Sequence, residues 1–181
     1  MEIELGRTLR TPIGVVKIDL YPLIESDCVS EVYGFSVRPD LPKGMSVEAC
    51  HAFIVKFRIH KIMTMKVVVE FETEAEKGYG NPGERLDSFE WESNGWVVSI
   101  GTEDGDCLSS RLKLGEFTLS NYPVHLSGNV VTVTLENLQT NNDYSLHFVV
   151  AWNKLPEPLD CSCWFAVDIP HNALLHYEQQ S

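Results

Sequence analysis

The chain has 181 residues and a formal net charge of −12, from 14 Lys and Arg against 26 Asp and Glu. With 44% hydrophobic and 22% charged residues it has the composition of a folded chain rather than a disordered one. The acidic balance disfavours neutralisation of nucleic-acid phosphates, and no apolar run approaches the roughly 20 residues of a membrane helix.

Along the chain, period-2 alternation dominates, which is the mark of half-buried strands. Ile13–Leu20 places Val16, Ile18 and Leu20 on one face. Glu31–Val37 changes parity between Val32 and Phe35, which predicts a bulge near Gly34. Phe53, Val55, Phe57 and Ile59 share a face, as do Met65, Val67, Val69 and Phe71. Further strands are expected over Gly95–Gly101, over Asn129–Glu136, over Tyr144–Trp152 and over Cys161–Ile169. The Asp104-Gly105 pair inside Glu103–Asp106 reads as a hairpin turn. Two segments carry helical signals: Val47–Ala52 behind a capping Ser46, and the tail Asn172–Gln180. The sum is an all-β, mainly antiparallel, two-sheet β-sandwich with at most one or two short helices, formed by residues 1–181 as a single domain.

Leu138-Gln139-Thr140-Asn141-Asn142-Asp143-Tyr144 ends one strand and opens the next. This resembles the tyrosine corner of fibronectin type III and immunoglobulin-like sandwiches, although those families often carry Pro where this chain has Thr140. The resemblance implies a Tyr144 hydroxyl bonded back to upstream backbone, and an immunoglobulin-like C-terminal half. It implies nothing about function.

Five cysteines, Cys28, Cys50, Cys107, Cys161 and Cys163, form an odd set. Met1–Leu5 has neither a basic n-region nor an apolar run. Together these point to free thiols in a cytoplasmic protein. Motifs for chemistry are scarce. Gly78-x-Gly80-x-x-Gly83 matches a dinucleotide fingerprint literally but precedes Glu84-Arg85 rather than an apolar helix. The six histidines have irregular spacing, and His147 lies on the parity opposite Leu146 and Phe148. No catalytic residue, cofactor or metal is assigned.

The charge is unevenly distributed. Residues 1–66 carry a net +1, whereas residues 70–106 carry 11 acidic side chains and only Lys77 and Arg85 against them. Glu70, Glu72, Glu74 and Glu76 share one parity, and Glu90 and Glu92 flank Trp91. The expectation is a non-catalytic protein-interaction module of the inhibitor or immunity type. Its basic protein partner would be met by Glu70, Glu72, Glu74, Glu76, Glu90, Trp91, Glu92, Glu103, Asp104 and Asp106, with charge steering the encounter. The alternatives are a sandwich that binds carbohydrate at Trp91 or calcium at Glu103–Asp106, and an enzyme whose site converges only in three dimensions.

Overall fold

The computed structural model describes residues 7–21 and 27–178; the Met1–Leu5 reading lies outside them. In chain order the elements are β1 (Thr8–Thr11), β2 (Gly14–Tyr21), β3 (Cys28–Ser36), β4 (Ala49–Ile59), β5 (Met63–Thr73), β6 (Tyr79–Gly80), β7 (Leu86–Ser93), β8 (Trp96–Glu103), α1 (Gly105–Leu112), β9 (Val124–Ser127), β10 (Val130–Leu138), β11 (Asp143–Lys154), α2 (Ser162–Val167) and α3 (His171–Glu178). The first sheet runs β1-β2-β5-β10-β9 and the second β3-β4-β11-β8-β7-β6. Every pairing between them is antiparallel. This is the mainly antiparallel sandwich that the alternation predicts, with three short helices, one more than expected.

The two sheets bury Ile18, Val67, Val69, Phe71, Val133, Phe53, Phe148 and Trp91 between them. The first sheet is solvated on its other face. The second sheet is not: its outer face carries Cys50, Ala52, Ile54, Val97, Val149 and Ala151, which pack against Cys163, Ala166, Val167 and Leu174 of α2 and α3. The molecule therefore has three layers, and β4, β8 and β11 are buried on both sides. That explains the parity change in β3. Its register with β4 is unbroken from Cys28–Ile59 to Ser36–His51, so Gly34 is not a bulge. Val32 faces the inter-sheet core, while Phe35 faces the helical layer. A register shift does occur in β10, between Leu135 and Leu138.

Three further local expectations fail for identifiable reasons. Val47–Ala52 is not helical. Glu48 N–H donates to Trp152 O (3.1 Å) and Asn153 Nδ2 to Ser46 O (2.7 Å), so β11 recruits this segment into the sheet. Glu103–Asp106 is not a hairpin: Asp104 accepts from Cys107 N–H (2.8 Å) and caps α1. Asp serves turns and N-caps by the same side-chain chemistry, and here Leu108 and Leu112 fall at helical spacing and are buried. Cys161–Ile169 is not a strand. Cys163, Ala166 and Val167 are buried at helical spacing, while Phe165 is 39% exposed, so the period-2 reading of this segment was accidental.

The tyrosine corner is present. Tyr144 Oη accepts from Gln139 N–H at 2.8 Å, and the flanking β10 and β11 lie in opposite sheets. Free sheet edges are mostly short: β1 and β9 have 4 residues each and β6 has 2, which limits edge-to-edge association. Replacing Tyr144 by Phe removes the acceptor and strands the Gln139 N–H in a part-buried corner. The expected loss is about 1–3 kcal/mol, read by urea unfolding, with an unchanged far-UV spectrum.

Candidate functional site

The acidic residues singled out in the sequence fall into three separate places. Glu70 and Glu72 are exposed on the solvated face of β5. They stand among cations there: Lys17 is the register partner of Glu70 and forms an ion pair with Glu72. Glu74 and Glu76 are exposed on the connection from β5 to β6. At α1, Asp106 is exposed, Asp104 is committed to the cap, and Glu103 is held by Arg111. The Glu103 and Asp104 oxygens thus serve different intramolecular partners rather than one calcium-like cage.

The third place is the edge of the second sheet. Trp91 is 1% exposed and sits between the sheets, edge-on to Phe71 at 5.1 Å, with its indole N–H donated to Asn129 Oδ1 at 2.7 Å. A partner or sugar arriving from solvent meets other groups. Glu90, on the opposite face of β7, is buried and accepts from Ser99 Oγ and Asn81 Nδ2, both at 2.8 Å. Glu92 is exposed and accepts from Tyr79 Oη at 3.2 Å. These two carboxylates border a pocket of about 240 Å³ with Tyr79, Leu155, Glu157 and Asp160. No basic side chain is among its described lining residues. The negative field is visible in its neighbours. Burial, then Glu90 and Glu92, push the Tyr79 phenol up; burial, then Glu90, Glu157 and Asp160, raise the Cys161 thiol. Tyr79 and Leu155 are 47% and 37% exposed, so apolar surface lies beside the carboxylates.

A second site was not foreseen. On the outer face of the second sheet, Val149 pairs with Gly101; two residues further along each strand, His147 and Glu103 come side by side. α3 folds back over them and delivers His171. Nδ1 of His147 lies 3.0 Å from Nδ1 of His171, and the rings stack at 5.2 Å. The other nitrogen of His171 lies 2.8 Å from Ser145 Oγ. Glu103 Oε2 is 3.9 Å from His147 Nδ1 and is gripped by the Arg111 fork from α1. The donor atoms of Glu103, His147 and His171 all lie within 4.8 Å of one another. The cluster opens onto a pocket of about 700 Å³ bordered by Arg85, Cys107, Trp164, Asp168 and Asn172. His147 and His171 are 24 positions apart in sequence and only the return of α3 joins them. The one sequence signal was the parity of His147, which placed it off the inter-sheet core.

No protein-family model matches the chain, and no curated protein matches it.

Burial, then the Arg111 charge, push both imidazoles down to about 3. They are neutral in the folded state, one donating its Nδ1 proton to the other. Their folded values lie below the ordinary value of about 6.5. The stability they confer is therefore present above pH 6.5 and is lost as pH falls below it, because the unfolded chain takes up the protons first. With a chelator present, stability should fall as pH is lowered from 6.5 to 5. Urea midpoints measured against pH check this, and replacing His171 by Gln should flatten the slope.

Proposed function

We propose that the chain is a non-catalytic module that captures a basic protein partner at the acidic pocket bounded by Tyr79, Glu92, Leu155, Glu157 and Asp160. The observation that carries this reading is the lining itself: four carboxylates, counting the buried Glu90, surround exposed apolar surface with no described cation among them. Apolar groups at the centre of an interface set the dissociation rate, while charges at its rim steer association. A Lys or Arg side chain laid across Tyr79 would meet a ring face and several acceptors at once. Glu74 and Glu76 lie on the segment entering β6, which extends the negative approach path. Of the residues chosen from sequence, Glu92 is the exposed one in this pocket. Glu70, Glu72 and Asp106 contribute to the long-range field, and Trp91 supports the sheet beneath. An inhibitor or immunity-type protein that covers a basic effector fits this design.

The five cysteines are all free, and burial pushes the Cys50 thiol up to about 12. Unpaired thiols favour a reducing compartment such as the cytoplasm. No described helix is long and apolar enough to cross a membrane.

The test is kinetic. A partner is first recovered from the native source on immobilised wild-type chain. Association is then measured with Glu92→Lys/Asp160→Lys at low and high salt. The reversed variant should associate at least about tenfold more slowly at low salt, and its rate should respond less to salt. Tyr79→Ala should act mainly on the dissociation rate. Unchanged rates and an unchanged salt slope in both variants would refute the assignment.

A further inference from the structure

The His147–His171 cluster opens onto a different pocket from the acidic one, and the binding reading above gives it no role. We propose that Glu103, His147 and His171 form a site for a zinc-class divalent metal ion, with one coordination position open to the adjoining pocket.

The first ground is geometry. A tetrahedral ion with bonds of about 2.0–2.1 Å holds neighbouring ligand atoms roughly 3.3 Å apart. The separations here, 3.0 Å between the two Nδ1 atoms and 3.9 Å from His147 Nδ1 to Glu103 Oε2, fall on either side of that value. The three donor atoms lie within 4.8 Å of one another, so side-chain shifts of up to about 1 Å would bring them onto the ion. The three ligands come from β8, β11 and α3, so the tertiary fold rather than one flexible loop sets their spacing.

The second ground is the surrounding support. A ligating histidine ordinarily commits its other ring nitrogen to an oxygen, and His171 Nε2 stands 2.8 Å from Ser145 Oγ. With Nε2–H donated to Ser145, the His171 Nδ1 lone pair already faces the site. His147 must then exchange its Nδ1 proton for the Nε2–H tautomer when the ion enters. No proton is lost overall, and the Nδ1–H···Nδ1 bond is replaced by two metal–nitrogen bonds. Arg111 fixes the Glu103 carboxylate: Oε2 accepts from both Nε and Nη2, while Oε1 accepts from Nε alone and keeps a further lone pair for an ion.

The ligand set also defines the class of ion. Two imidazoles and one carboxylate suit zinc and its neighbours; calcium and magnesium prefer oxygen throughout. Glu103 and Arg111 cancel in charge, so a bound divalent ion leaves the site at +2. The open position would therefore take an anionic oxygen, such as hydroxide, carboxylate or phosphate, with Arg111 alongside it.

The test uses the full chain, stripped with EDTA, exchanged into chelator-free buffer and kept reduced. Zn²⁺ is titrated by calorimetry and Co²⁺ by visible absorption. The expected result is one equivalent of Zn²⁺ bound with micromolar or tighter Kd. Co²⁺ should give the intense visible bands of a four- or five-coordinate nitrogen–oxygen site, without a thiolate charge-transfer band. Ser145→Ala, which removes only the outer hydrogen bond, should weaken Zn²⁺ about tenfold or more, and His171→Gln should weaken it further. Three results would overturn the proposal. One is the absence of binding, or a Co²⁺ spectrum like that of the hydrated ion. Another is a thiolate band that disappears in Cys107→Ser. The last is equal Zn²⁺ affinity in wild type, Ser145→Ala and His171→Gln. Because Ser145→Ala leaves the ligands in place, the test stands even if His171→Gln fails to fold.

Discussion

Burial of β11 on both faces is the constraint from which the rest of the structure follows. Tyr144, Leu146, Phe148, Val150 and Trp152 face the inter-sheet core, while Val149 and Ala151 face the helices. A strand solvated on one face stays polar there. This one has no solvated side over most of its length, so α2 and α3 must cover it. The backbone is satisfied on both edges, by β4 along Asp143–Trp152 and by β8 along Val149–Lys154. The polar residues on the covered face, Ser145, His147 and Asn153, then need partners inside the protein. They find them in His171, in each other's neighbourhood, and in Ser46 O.

The same constraint separates the two surfaces of the molecule. The outer face of the first sheet mixes Lys17 and Lys66 with Glu70 and Glu72. The second sheet, capped by helices, has clefts wherever the cap ends. One lies beneath α3, where His147 and His171 meet. Another lies beyond the start of α2, where Leu155, Glu157 and Asp160 approach Tyr79 and Glu92, and a third is bordered by Val29, Lys56, Arg58, Asp143 and Leu175. Concave, partly dry sites therefore arise at the margins of the helical layer.

The strands were legible wherever only one face is buried. β2, β5 and β10 alternate cleanly, since polar residues can follow the solvent side. Legibility failed where the helical layer intervenes. In β3 the apolar parity switches from Val32 to Phe35 because the burying partner changes, not because the strand bulges. In α2 the run Cys163, Phe165, Val167, Ile169 fits a strand, yet Cys163, Ala166 and Val167 fit a helix equally well, and only docking onto Gly101 and Val97 decides. Gly101 matters here, for a Cβ at that position would stand 2.8 Å from a Val167 methyl. The acidic bias of 70–106 was readable as charge, but not its division among a mixed sheet face, a helix cap and a pocket. Burial of Glu90 and Trp91 follows from which strands neighbour β7, which no local pattern records. The histidine pair was illegible for a similar reason, because its contact depends on a chain reversal after Pro170.

Both candidate sites thus depend on the helical layer being an ordered part of the native fold. Amide hydrogen exchange on the full chain tests this most directly. The account predicts slowest exchange in β11, over residues 149–152, and clear protection in α2 and in the α3 amides around Leu174, lost together with the pocket histidines' stacking when Leu174 is replaced by Asp. Exchange of the α3 amides at the rate of an unstructured peptide in the wild-type protein would contradict it.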